Sequence, residues 1–358
     1  MMRRWKILIV MLFVAGTYLS CKNNTSKNIT DSKKEQEVVP KESPKEKYKT
    51  IGQIERIHPD INNIISENAI IEVLSDTLVW AEGPLWIAEK KWVLCSDVKE
   101  NRIWRWTEDT GMELYLDNSG FPGDDTNSRE RGSNGLTLDK NGKLTICQHG
   151  NRQVVTMTSD LENPTNDFKV LASHYNDKRF NSPNDLVFDS KGNLYFTDPP
   201  YGLSEEIMND PNKELSFQGI YKLDTAGKIQ LLSDQISRPN GLAFNPEETK
   251  LYVANTDDTN AVWVSFPIQD NGTLGTPAEI RNVTDLIGKE VGFPDGIKVD
   301  DKGNIFTAGP GGLWIFNSDF ELLGKIKPDE WVSNCAFNED YSTLFITADD
   351  HLLRVKLK

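Results

Sequence analysis

The chain has 358 residues, long enough for one large β-domain or two ordinary ones, and a repeat that runs through most of it favours one. Asp and Glu outnumber Lys and Arg by 54 to 40, a net charge of −14, which argues against nucleic acid or another polyanion as partner because phosphate binding needs a Lys/Arg-rich face. The same acidity suits a domain that takes cations or neutral small molecules.

The first segment is of different material. Met1 to Lys6 is short and basic, Ile7 to Leu19 is apolar, and Ser20-Cys21 follows, the pattern of a secretory signal. The stretch YLSC resembles the end of a bacterial lipoprotein signal, with Cys21 as the lipidated residue and Tyr18 standing where Leu is usual. A plain cleaved signal or a retained anchor is the alternative. The expectation is an exported protein, attached to a bacterial membrane only through its N-terminal lipid and facing the periplasm. Residues 22–57 read as a disordered tether, because Lys22 to Lys49 is Lys, Glu, Ser, Asn and Thr with two prolines and too little apolar surface to offset the entropy of ordering. Residues 58–358 then form the folded domain.

A strand, Ala69 to Asp76, comes first and has no partners of its own nearby. A cassette then recurs: a small residue or Pro, Asn or Asp, Gly or Asp, an apolar strand, a turn and a second strand. It reads SNGLTLDKNGKLTI from Ser133, SPNDLVFDSKGNLYFTD from Ser182, RPNGLAFNPEETKLYVANTD from Arg238 and FPDGIKVDDKGNIFTAG from Phe293. Weaker copies start at Ala81 and Ser333, giving six at a spacing of roughly 40 to 55 residues, the period of propeller blades. Alternation such as Leu186, Phe188, Leu194, Phe196 across Asp189-Ser190-Lys191-Gly192 marks antiparallel hairpins, and further strands follow each one. The prediction is an all-β, six-bladed β-propeller with a central metal site. Its last blade is a strand short, so the strand at 69–76 closes the ring. Cys95, Cys147 and Cys335 lie in or beside apolar strands, an odd count that gives no disulfide framework and marks them as small core residues.

A radial array brings equivalent cassette positions to one end of a channel. Those positions hold Glu82, Asn134, Asn184, Asn240 and Asp295. Glu82, Asn184, Asn240 and Asp295 offer two carboxylates and two amide oxygens, an all-oxygen set suited to a hard cation, Ca²⁺ first, with Mg²⁺, Mn²⁺ and the less suited Zn²⁺ as alternatives. The competing explanation is that Asn, Asp and Gly recur here as turn formers. Two inserts, from Phe121 and from Asp198, adjoin channel positions and are placed to shape a site; the second carries Tyr201 between prolines and a glycine.

From about Ile64 to Lys356 the chain resembles the gluconolactonase branch of the SMP-30/gluconolactonase/luciferin-regenerating-enzyme family, through WAEGPLW at Trp80, SNGLTLD at Ser133, QHGNRQV at Gln148, FNSPNDLVFD at Phe180, YFTDPPYGL at Tyr195, RPNGLAFNPEE at Arg238, FPDGIKVDDKGN at Phe293 and AGPGGLWIF at Ala308. The resemblance implies a six-bladed propeller with a divalent metal in its channel, Glu82, Asn240 and Asp295 as its ligands and Asn184 as a further ligand or substrate contact. Gln148 stands where many gluconolactonases have Glu. The implied reaction is hydrolysis of a sugar lactone to the aldonic acid, with the metal polarising the carbonyl and Asp295, or in competition His149, taking the proton from water. Asn134, Arg152, Asn184 and Tyr201 are the expected substrate contacts. Two other functions are weighed, a related ester or phosphotriester hydrolase and a non-catalytic sugar- or protein-binding propeller with a structural metal. The oligomeric state is not legible in the sequence.

Overall fold

The structure, a computed structural model, describes residues 47–123, 130–203 and 208–358. The signal with Cys21 and the tether as far as residue 46 lie outside the described residues. Within them the chain forms six antiparallel sheets of four or five strands, with one additional two-stranded ribbon. From an inner strand outward the sheets run in sequence order, except that N-terminal strands occupy the outer edges of the last two: Ala81–Ile87, Ser133–Leu138, Leu186–Phe188, Pro239–Phe244, Ile297–Val299 and Val332–Phe337 lead the six blades. Inner strands of neighbouring blades touch one another around the axis. The cassette is therefore the inner hairpin of each blade, as its alternation predicts.

The core lies between the blades, in six apolar slabs. One joins the first and second blades through Leu94, Ile103, Ile146 and Val155, and the next joins the second and third through Cys147, Val154, Phe196 and Tyr221. The last, with Leu352 and Phe345 against Ala81, Val93 and Trp106, joins the sixth blade to the first. Because both faces of each blade are covered, successive residues of a strand are buried: Leu94 faces the second blade while Val93 and Cys95 face the sixth. This explains the nearly continuous apolar runs of the middle strands. The three cysteines among the described residues are free and buried in these slabs, where burial pushes their thiols up.

The ring closes as the sequence predicts. A strand at Ile71–Ser75, β3, pairs antiparallel with His351–Lys356, placing Val73 opposite Leu353 and Glu72 opposite Arg354. Arg354 then donates to Glu72 at 2.6 Å and to Glu108 of the first blade at 2.7 Å.

One boundary differs from expectation. Residues 50–56, placed in the tether by composition, form β1 (Thr50–Ile51) and β2 (Gln53–Arg56). β1 pairs with β3, extending the sixth blade, and β2 pairs with Leu322–Lys327 at the outer edge of the fifth. Ile51 and Ile54 supply the driving force by packing on the slab between those blades, which also buries Ile61 and Ile65 fully. Gly52 makes the crossing, at φ 60° with its α-carbon so close to Lys327 that a Cβ would lie 2.0 Å from the carbonyl oxygen. The folded body thus starts before residue 58.

Candidate active site

At one mouth of the channel lies a cavity of about 500 Å³, within the range of small-molecule sites. Glu82, Asn134, Asn184, Asn240 and Asp295 all line it, although the sequence spreads them over more than two hundred positions. Local backbone features aim them there. The inner strands shift register next to Glu82, next to Asn134 and across Asn240, bulges of the kind that re-aim a side chain. Just before the inner strand, the end of the next strand clamps the chain. Asp97 accepts from Val79 and Trp80 N–H at 3.0 and 3.1 Å, Asp198 from Asn181 and Ser182 at 2.9 and 2.8 Å, and Asn255 Oδ1 from Arg238 N–H at 2.8 Å.

The residue after each channel position accounts for the repeated Asn-Gly and Asp-Gly pairs in a way turn chemistry does not. Gly135 and Gly241 sit against the next blade, and a Cβ on them would lie 2.7 Å from the Asn184 carbonyl oxygen and 2.4 Å from that of Asp295. Glycine here permits inner strands to approach. In the third blade this place is taken by Asp185, which is buried, and its Oδ2 lies 3.5 Å from Lys298 Nζ.

The floor of the cavity is strongly acidic. Glu82 is buried and, among the described residues, accepts only a 3.3 Å bond from the adjacent Gly83 N–H; burial, reinforced by Glu130 and Asp185, pushes its carboxyl up to about 8. Burial likewise raises Asp295 well above the usual carboxylate range, with Glu82, Glu130 and Asp185 adding to it. Among the described residues Asp295 Oδ1 and Asn134 Oδ1 have no hydrogen-bond partner. Asn240 donates to Thr256 at 3.0 Å, and Thr256 in turn donates to the Pro294 carbonyl at 2.5 Å, which ties the Asn240 side chain to the backbone just before Asp295. Buried carboxylates crowded together, with oxygen atoms left unpartnered, are what a hard divalent cation would satisfy. The residues therefore fit such an ion, with Glu82, Asn184, Asn240 and Asp295 as its donors. No cluster of three or more His, Cys, Asp and Glu side chains is arranged for a metal among the described residues, so the two amide oxygens are essential to this set.

The wall is aromatic. Trp80 and Trp331 meet edge to face at 5.6 Å, and Phe293 stacks on Trp331 at 5.3 Å. Tyr201 completes it, its hydroxyl donating to the Thr256 carbonyl at 3.3 Å, while Lys99 and Arg238 stand at the cavity with Lys99 Nζ 4.4 Å from the Trp80 ring centre.

Two expected site residues are elsewhere. Arg152 does not line the cavity: its guanidinium is spent on the carbonyls of Phe180, Asn181 and Asn212 at 2.6, 3.1 and 2.8 Å, holding the loop of the third blade. His149 is wholly buried behind the wall, and Glu130, 3.5 Å from its Nδ1, faces the cavity in its place. Gln148 donates to the Ser119 carbonyl at 2.7 Å and is likewise structural. Of the wall only Tyr201 belongs to the sequence-based site; Glu130, Lys99, Arg238, Trp80, Phe293 and Trp331 are absent from it. Only Glu130 had a signal, its position four residues before Asn134 in the first insert.

Residues 80–350 match the family described as the SMP-30/Gluconolactonase/LRE-like region. A gluconolactonase from Zymomonas mobilis is 38% identical over 316 residues, covering 86% of this chain and 87% of that protein. Among solved structures, a gluconolactonase from Xanthomonas campestris superposes with a TM-score of 0.74 at 29% identity, over 88% of this chain and 99% of the other. A calcium-binding regucalcin from Agrobacterium tumefaciens shares the fold, with a TM-score of 0.61 at 19% identity over 80% of this chain and 94% of its own.

Proposed function

The chain belongs to the SMP-30/gluconolactonase/LRE-like family, and from that premise we propose that it hydrolyses a gluconolactone-like sugar lactone to the aldonic acid in a reaction that depends on a divalent cation. It is a gluconolactonase-like carboxylic ester hydrolase. The observation that carries the cation-dependent reading is the convergence of Glu82, Asn184, Asn240 and Asp295 on the floor of one cavity whose walls suit a sugar ring.

Glu82 and Asp295 supply the two negative charges that match a divalent ion, and Asn184 and Asn240 supply neutral oxygens. When bound there, the ion, with Ca²⁺ the first choice, provides a Lewis acid for the lactone carbonyl. Trp80, Phe293 and Trp331 offer flat apolar faces to the C–H side of the sugar ring and displace water from it. The unpartnered oxygen of Asn134 is placed to accept from a sugar hydroxyl. The water that adds to the carbonyl carbon must give up a proton to a side chain at this floor, and His149, behind Glu130, is not placed to take it.

The test is a lactone panel assayed on protein stripped with a chelator and then given single divalent metals. Turnover of gluconolactone that is lost on stripping and restored by one of the metals is expected. Hydrolysis that proceeds unchanged after stripping would refute the cation requirement, and hydrolysis of no lactone at all would refute the function.

A further inference from the structure

We propose that Glu130 is the proton acceptor for the hydrolytic water and that His149, buried behind it, is its positioning residue. This rests on the lactonase reading above. The sequence gives the role to Asp295, but Asp295 belongs to the cation's donor set, and a carboxylate whose oxygens are engaged by a cation is a weak base. Among the described residues Glu130 is the remaining carboxylate that lines the cavity, and it lies outside that donor set. Its side chain is 23% exposed, so water reaches it, whereas Glu82 and Asp295 are buried. It shares the lining of one cavity with both of them.

His149 is the second, independent observation. It is 0% exposed, neither ring nitrogen has a hydrogen-bond partner among the described residues, and the nearest charged atom to Nδ1 is Glu130 Oε2 at 3.5 Å. An imidazole kept dry without partners is costly unless something uses it. A slight approach of Glu130 turns the 3.5 Å separation into a hydrogen bond, which fixes one carboxylate oxygen and leaves the other free toward the cavity. Gly202 packs against the base of this residue so closely that a Cβ there would lie 2.7 Å from His149 Cβ and 3.0 Å from its carbonyl carbon, so the histidine backbone is held in place.

The step balances without a further reactant. The water oxygen forms a bond to the lactone carbonyl carbon as one of its protons passes to Glu130. When the bond between that carbon and the ring oxygen breaks, the ring oxygen leaves with the electron pair and takes the proton back from Glu130. The product is the open-chain hydroxy acid, and the Glu130 carboxylate is regenerated.

The experiment compares the wild-type protein with Glu130→Gln, His149→Ala and the double variant, each saturated with the metal that supports wild-type gluconolactone turnover, and titrates that metal into each. For Glu130→Gln the proposal expects kcat to fall about 10²- to 10⁴-fold, with KM and metal affinity within a few-fold of wild type. His149→Ala should lose less, roughly tenfold, and the double variant should be no slower than Glu130→Gln alone, since a positioning residue has nothing left to position. Retention of most of kcat by Glu130→Gln overturns the proposal in favour of Asp295. A loss of metal affinity that accounts for the lost rate makes Glu130 a ligand, and a raised KM at unchanged kcat makes it a substrate contact; either overturns the proposal. Losses that add in the double variant overturn the role of His149. A wild-type protein that hydrolyses no lactone overturns the functional reading, and the proposal with it, and is recognised before any variant is measured.

Discussion

Replacing Glu82 by Gln should stabilise the cation-free protein and abolish its response to cations. In the fold this carboxyl is pushed from an ordinary 4.5 up to about 8, chiefly by burial and then by the charges of Glu130 and Asp185. A folded-state value above the unfolded one means that the native protein holds this proton more tightly, so the associated stability is complete below about pH 4.5 and is lost as pH rises through about 8. At about 1.4 kcal/mol per pKa unit, the loss from Glu82 alone is on the order of 4 kcal/mol by pH 8. For a domain of this size that is a shift of roughly 5–10 °C in unfolding midpoint. Glutamine keeps the shape and carries no charge. Thermal unfolding in chelator at pH 5, 6, 7 and 8 should therefore show the two proteins close together at pH 5 and the variant increasingly ahead toward pH 8. Adding a divalent cation at pH 8 should reverse the order, because only the wild type has the charge that binds it. A gap that stays constant from pH 5 to 8, or an equal response of both proteins to the cation, would refute the reasoning.

Two further predictions concern the frame that holds the site. Removing all residues through Asp76 takes away β1 to β3 and the buried Ile61, Ile65, Ile71 and Val73, a loss on the order of 6–12 kcal/mol that rivals the whole stability of a domain, so soluble yield and unfolding midpoint should collapse; an unchanged midpoint would disprove closure by β3. Arg354→Met should cost about 2–3 kcal/mol in urea unfolding, between the values for exposed and buried ion pairs, because it strands Glu72 and releases Glu108, whose carboxyl Lys47 and Arg354 together hold down at about 2; a cost below about 0.5 kcal/mol would show the bridge to be ornamental.

The repeat carried most of the fold because a blade is a local object: its hairpins obey period two within a few dozen residues, and six copies leave little choice of assembly. Ring closure was legible for the same reason, as a strand with no local partner facing a blade with one too few. The five channel positions were legible because the cassette is in register with the axis. What escaped gave no chemical signal of its own. Trp80 and Phe293 stand two residues before Glu82 and Asp295 and, like Trp331, read equally well as core aromatics, and Glu130 comes from an insert with no repeat to align it. Arg152 and His149 were misplaced because a strand end points either into the channel or under the next loop, and only packing decides. The tether boundary moved because β1 and β2 are too short for periodicity to register; Ile51 and Ile54 count only once the slab they cover exists.

The pairing of β3 with the C-terminal strand also sets a timetable. Val73 meets Leu353, a partner made 280 residues later, so on a growing chain β3 must wait for the final strand while five blades form ahead of it. Until then β3 lacks its neighbour in the sixth blade and the flank of the first blade that the sixth covers is bare. Loop closure over that distance makes the joint the slow step of assembly, and it makes the last few residues of the chain, rather than any residue of the cavity, the place where a truncated or stalled product would do the most damage to folding.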